Sequence, residues 1–233
     1  MERKASAAKL FFSKLGERGM PHHNAWQIFC AQQLRQCCDD PDSFLNPGRR
    51  QCVDGRDLHE VLLQYAHDFF ALYEQQAVPR MGLLNLMTAH EHFMHRLGIL
   101  DEALPRFLER FERHLRDSTA LFLLADHGTH GIWYNHFAVG QAEHRAPALW
   151  LLLPASFVDA HPSVDGALRR NRRRRVTPYD LHATLRHLAA WPAMPEPAAE
   201  ASSLFVDLPD ARSCVAARVP AEWCLDQPEE CFE

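Results

Sequence analysis

Residues 120–128 read Ala-Leu-Phe-Leu-Leu-Ala-Asp-His-Gly, and this run constrains the chain more than any other. Apolar residues from Ala120 to Ala125 stop abruptly at a carboxylate, an imidazole and a glycine. A continuous apolar run of about four to eight residues, bounded by turn residues, reads as a strand covered on both faces. Two more such runs are Met81–Met87 (MGLLNLM, after Pro79) and Pro147–Pro154 (PALWLLLP). Between and around them the spacing is helical. Leu58, Leu62, Tyr65, Phe69 and Leu72 recur at three and four within Arg56–Gln76, and Leu104, Phe107, Leu108, Phe111 and Leu115 within Asp101–Arg116. Thr177–Leu188 opens on Thr-Pro, an N-cap followed by a proline at the first helical position. Continuous apolar strands alternating with helices predict an α/β fold, a mostly parallel sheet flanked by helices. There is no internal repeat.

In an open parallel sheet the carboxyl ends of the strands face the ligand crevice. Asp126 and His127 leave such an end together, and the turn at Gly128 lets both reach one divalent cation. A carboxylate oxygen with an imidazole nitrogen suits zinc or manganese, whereas carboxylates alone would suit calcium. The plainer alternative is a polar turn in which Asp126 caps the next segment. A second cluster, Thr88–His95, follows the first apolar run and holds His90, Glu91, His92 and His95. Glu91 and His95 would share a face if this segment is helical. His90 directly follows the run and is expected to point into the same crevice as Asp126. A solvated, titratable loop is the alternative, and the pattern does not choose which histidine is a ligand.

Arg169, Arg170, Arg172, Arg173, Arg174 and Arg175 stand within seven positions (RRNRRRR). Such a block can hold the phosphate or sulfate groups of a polyanion, act as a nuclear-localisation run, or simply remain a solvated loop. The chain as a whole carries a net charge of −5, so it is not a generally basic nucleic-acid binder. Apolar residues at 47% and charged residues at 24% are the balance of a globular chain. No apolar run approaches the ~20 residues that a membrane-spanning helix needs. Histidine is in excess, with 15 residues, which draws attention to metal or acid/base chemistry without locating it.

The seven cysteines fall in two groups, Cys30, Cys37, Cys38 and Cys52, then Cys214, Cys224 and Cys231. No Cys-x-x-Cys pair occurs, which argues against a zinc ribbon. Two clusters flanking a cysteine-free stretch suggest disulfide staples on an extracellular domain, with reduced cytosolic thiols as the alternative. An odd count leaves at least one thiol free or paired with another chain. The first residues, Met1–Leu15, lack the apolar core and cleavage site of a secretory signal. The expected organisation is an irregular segment over 1–50, an α/β domain over 51–191, and a linker and cysteine-containing tail over 192–233, with Pro192–Ala201 as the linker.

The segment ADHGTHGIWYNHFAVGQAEHRAPALWLLLP resembles the core of the sulfatase-like branch of the alkaline phosphatase superfamily. Within it the chain is most similar to the eukaryotic family of uncharacterised extracellular proteins called DUF229. That family shows an apolar strand, Asp-His-Gly, then Glu-x-Arg-x-Pro leading into a strand ending in proline. Here these are Asp126, His127, Gly128, Glu143, Arg145, Pro147 and Pro154. Three further stretches resemble the family in the same order: Cys52-Val-Asp-Gly-Arg with His59-Glu-Val-Leu-Leu, TPYDLHATLRHL at 177–188, and Arg212-Ser-Cys214 through Val219-Pro220 to Trp223-Cys224.

The resemblance implies a phosphatase/sulfatase-like α/β fold and metal-assisted hydrolysis or transfer of a phosphate or sulfate ester. A cation there neutralises the ester oxygens and activates a hydroxyl nucleophile. By resemblance Asp126 and His127 are ligands of one divalent cation (zinc, manganese or calcium). His90, with Glu91 or His95, would serve a second cation or the leaving group. Glu143 and Arg145 would stabilise the loop above the site. The superfamily also needs an earlier strand ending in a metal-binding Asp, followed by a Ser, Thr or modified Cys nucleophile at a helix N-terminus. Residues 1–50 offer neither, since Ser13 after Phe11-Phe12 lacks that context. The expectation is the C-terminal part of a longer enzyme, its α/β fold incomplete and inactive alone. The competing expectations are a secreted non-catalytic binding or structural protein that keeps the fold remnant, and a polyanion binder acting through the arginine block.

Overall fold

The structure, a computed structural model, describes residues 52–53, 55–77, 79–86, 97–128, 133–193 and 201–225. The chain divides into two compact units, Met1–Phe111 and Glu112–Glu233.

The first unit opens with two short antiparallel strands, β1 (Cys52–Val53) and β2 (Arg56–Asp57), with Cys52 opposite Asp57 and Val53 opposite Arg56. The turn between them places Gly55 at φ +77°, a left-handed conformation that glycine adopts without steric cost. Helix α1 (Leu58–Gln75) follows directly and buries Leu63 and His59. Helix α2 (Leu100–Asp117) begins in this unit and crosses the division. Ala103, Phe111 and His114 are buried and Leu104, Phe107, Leu108 and Leu115 half-buried, which is the one-face pattern that the three-and-four spacing predicts. Within the first unit Phe70 of α1 meets Phe111 edge-on at 5.1 Å, and Phe107 stacks on Phe111 at 5.0 Å. Arg80 lies over the Phe70 ring at 5.6 Å, and Arg110 Nη1 donates to Gln64 Oε1 at 2.7 Å.

The expected buried strand at Met81–Met87 is not found among the described residues. Residues 81–86 have no regular structure and are mostly exposed, Met81 at 78% and Leu83 at 59%. Apolar composition permits a strand, but a strand also needs a neighbour to accept its backbone hydrogen bonds. None among the described residues pairs with this segment.

The second unit contains β3 (Leu121–Leu124), α3 (Ala138–Arg145), β4 (Leu149–Leu152), α4 (Ala155–Ala160), α5 (Pro162–Asn171) and α6 (Pro178–Ala190). The expected parallel sheet is not found among the described residues. The described sheets each have two strands, and β3 pairs with β4 antiparallel, from Leu121 opposite Leu152 to Leu124 opposite Leu149. The reason is local. The ladder continues past the strand ends through Ala125 N–H to Ala148 O (3.1 Å) and Gly128 N–H to His144 O (3.0 Å). The chain therefore returns beside itself as a wide hairpin, instead of crossing over the sheet as a parallel partner must. Nor are the strands covered on both faces: β4 alternates half-buried and exposed, with Trp150 57% and Leu152 36% exposed.

The core of this unit lies between α5, α6 and the irregular segment 201–217. Val164 and Ala167 of α5 are buried with Leu204, Phe205, Leu208, Cys214 and Ala217. An irregular segment can be buried only if its backbone polar groups find partners. Polar side chains on the two helices supply them. Asn171 Nδ2 donates to Leu204 O (3.1 Å) and Val206 O (2.8 Å), and its Oδ1 accepts from Leu208 N–H at 3.0 Å. Thr184 Oγ1 accepts from Leu204 N–H at 2.8 Å. Asp180, fully buried, accepts from Thr177 N–H and Thr177 Oγ1 (both 2.9 Å), Ser202 N–H (3.0 Å) and Arg212 Nη1 (2.6 Å). Thr177 and Asp180 form a reciprocal capping box at the start of α6, as its Thr-Pro opening predicts for the N-cap. A disulfide joins Cys214 to Cys224. Among the described residues no helix is long and apolar enough to cross a membrane.

Candidate functional site: the end of β3

Asp126, His127 and Gly128 follow β3 at the point where the hairpin opens. Gly128 fixes the turn. A Cβ at this position would lie 1.8 Å from the carbonyl oxygen of Glu143, so only glycine lets the loop seat against the C-terminal turn of α3. Gly140 does the same at the other end of the loop, where a Cβ would lie 2.2 Å from Tyr134 O.

This seat holds Asp126 and His127 side by side. The Asp126 carboxylate accepts from the His127 backbone N–H at 3.0 Å. His127 Nδ1 lies 2.7 Å from Gly128 O, which can only accept, so Nδ1 is the donor. Nε2 stands 3.7 Å from Asp126 Oδ2. Ligands at ~2.1 Å around a tetrahedral zinc are separated by about 3.4 Å, so this spacing suits two neighbouring ligands of one cation. The carboxylate is 89% exposed and the imidazole 37%, which leaves the pair open to solvent. Among the described residues no third His, Cys, Asp or Glu joins a group able to hold a metal ion. The pair fits an edge of a cation site, not a complete cage. His90, Glu91 and His95 lie outside the described residues.

Glu143 and Arg145 sit on α3, facing different tasks. The Glu143 backbone packs on Gly128, and its side chain accepts from Tyr134 Oη at 3.0 Å. That hydrogen bond raises the Tyr134 pKa above its ordinary value. Arg145 lines an open cavity of about 310 Å³ with Asn135, Gln141, His144, Glu222 and Trp223. The His144 ring lies 5.2 Å from that of His127 and 5.4 Å from that of Trp223, so the cavity adjoins the Asp126–His127 pair. His144 and Asn135 do not stand out in the sequence, and Trp223 does so only as part of the C-terminal cysteine segment. The signal available was the histidine excess and the position of His144 inside the Glu-x-Arg segment. Nothing in the spacing ties Trp223 to a segment almost eighty residues earlier.

The arginine block is largely engaged within the second unit. Arg169 Nε pairs with Asp165 and Arg170 Nε with Asp207, both at 2.7 Å. Arg174, 12% exposed, donates to Leu208 O and Asp210. Arg175 donates to the carbonyls of Arg212 (3.0 Å) and Leu225 (3.3 Å). Arg172 and Arg173 are exposed. The Arg170 guanidinium holds the Asp207 carboxyl below its ordinary pKa.

A glycine-locked Asp-His pair at a strand end, with a charged cavity beside it, defines a candidate cation and ligand site. The family model for "Protein of unknown function (DUF229)" matches residues 42–232, and the chain belongs to that family. No curated protein and no solved structure matches the chain.

Proposed function

We propose that the chain carries part of the metal-binding site of a phosphate- or sulfate-ester hydrolase-like protein, with Asp126 and His127 as two ligands of one divalent cation. The observation behind this reading is the 3.7 Å approach of His127 Nε2 to Asp126 Oδ2 in a turn that Gly128 locks. Membership of DUF229 and the resemblance of the Asp-His-Gly and Glu-x-Arg-x-Pro segments to sulfatase-like cores support the ester chemistry. A cation held there would neutralise ester oxygens and lower the pKa of a hydroxyl. The chain's own contribution is to hold two ligands in register. The Nδ1–H of His127 is fixed on Gly128 O, which keeps Nε2 in the ligating tautomer.

His90, with Glu91 or His95, remains the proposed source of further ligands or of leaving-group contact. No residue of the chain is assigned as nucleophile. The chain alone is therefore expected to turn over 4-nitrophenyl phosphate or sulfate no faster than buffer, with or without zinc, manganese or calcium. We place it outside the cell, a reading that the Cys214–Cys224 disulfide supports. The test is elemental analysis of protein equilibrated with each cation and then desalted. Retained metal in the wild type that is lost in Asp126→Ala supports the reading. Equal retention by both proteins, or none by either, overturns it.

A further inference from the structure

The cavity beside His127 has a lining that cation binding does not use. Arg145 is half-buried, and among the described residues its guanidinium takes part in no ion pair. Asn135 Oδ1 is buried without a hydrogen-bond partner. Glu222 adds an acceptor, while Trp223 offers an aromatic face, 44% exposed. Groups of these types are what one kind of small molecule pairs with. A guanidinium takes an oxyanion by paired hydrogen bonds. A carboxylate accepts from hydroxyls. The negative face of an indole attracts the polarised C–H edges of a saturated ring. At about 310 Å³ the cavity sits near the lower end of the ~300–1,000 Å³ range of small-molecule sites, which suits a single ring.

We propose that this cavity binds a monosaccharide carrying a phosphate or sulfate ester. Arg145 takes the anion, Trp223 stacks on the sugar face, and Glu222 accepts from its hydroxyls. The inference rests on the ester reading above for its substrate class, and it names the alcohol part that reading leaves open. The His144 ring, 5.2 Å from that of His127 and 5.4 Å from that of Trp223, adjoins both the polar pair and the cavity.

Titration calorimetry on the full chain in EDTA tests the subsite without any cation. The probes are glucose 6-phosphate, glucose 6-sulfate, glucose, and inorganic phosphate and sulfate. At least one sugar ester is expected to bind about tenfold more tightly than glucose or the matching inorganic ion. Preference between the two esters identifies the oxyanion. Arg145→Gln should bring ester affinity down to that of glucose, while Arg145→Lys keeps some preference for the anion. Trp223→Ala should weaken ester and glucose alike by about tenfold, and Trp223→Phe should restore most of the loss. Circular dichroism melting shows that each variant is folded. Sugar esters binding no better than the inorganic ion, or folded Arg145→Gln and Trp223→Ala proteins binding as wild type, overturn the proposal. Because EDTA is present throughout, that failure leaves the cation claim untouched. The metal content of Asp126→Ala decides the cation claim separately.

Discussion

At the scale of single residues, a few groups have neighbours that admit no substitute. Gly128 is one. Adding a methyl there drives it into the Glu143 backbone at 1.8 Å, and backbone cannot swing aside as a side chain can. Gly128→Ala is expected to destabilise the second unit by about 1–3 kcal/mol, the usual cost of overpacking, and to abolish metal retention. A denaturation midpoint and metal content measure both. Arg212 is another: it is 6% exposed and pairs with a fully buried Asp180. Arg212→Ala leaves that buried carboxylate hydrogen-bonded but without its countercharge, so about 3–5 kcal/mol is expected to be lost in urea denaturation. His187, 3% exposed, lies between Trp191 and Phe205 with Ser203 Oγ 2.9 Å from Nδ1. Burial holds its pKa below the ordinary 6.5. The unfolded chain thus binds the proton first as pH falls. Stability from this group is complete above about pH 6.5 and is lost below it, down to the depressed folded value. Thermal melts from pH 7 to pH 5 should fall, and His187→Phe should fall less steeply.

At the scale of elements, helices were more legible in the sequence than the sheet was. The face of α2 and the Thr-Pro start of α6 follow from side-chain period and capping chemistry, which are local. Strand direction is not local. It depends on whether the chain crosses over or returns, and here Gly128 turns it back along His144. The run at 81–86 shows the same limit from the other side, since nothing in its composition reports whether a partner strand exists. The arginine block was ambiguous because its partners lie far along the chain. Asp207 and Asp210 stand more than thirty positions later, and no spacing rule links them to Arg170 and Arg174. Those contacts predict that Arg174→Ala destabilises the unit by about 1–3 kcal/mol. They also predict that heparin–agarose releases the protein at low salt, because few of the arginines face solvent without an internal acceptor. Reducing Cys214–Cys224, which closes a loop with a sequence separation of 10, is expected to cost about 2–3 kcal/mol.

At the scale of the whole molecule, the second unit keeps its most buried groups away from the candidate site. Asp180, Asn171 and Thr184 fasten segment 201–208 to α5 and α6, while Asp126 and His127 stand exposed at a strand end. That division suits a scaffold with an accessible polar pair at its edge. The hairpin brings the contiguous Asp-His-Gly and Glu-x-Arg segments together, Gly128 N–H bonding to His144 O. The cavity with Trp223 was not legible in the sequence, since it forms only when the C-terminal segment folds back on α3.

The claim that Asp126 and His127 hold one divalent cation is tested most directly by titrating manganese into isotopically labelled protein. The account predicts paramagnetic broadening of the His127 and Gly128 amide resonances, sparing those of Thr184 and Leu208, and its loss in Asp126→Ala. Broadening spread evenly over exposed carboxylates, or unchanged in Asp126→Ala, contradicts it.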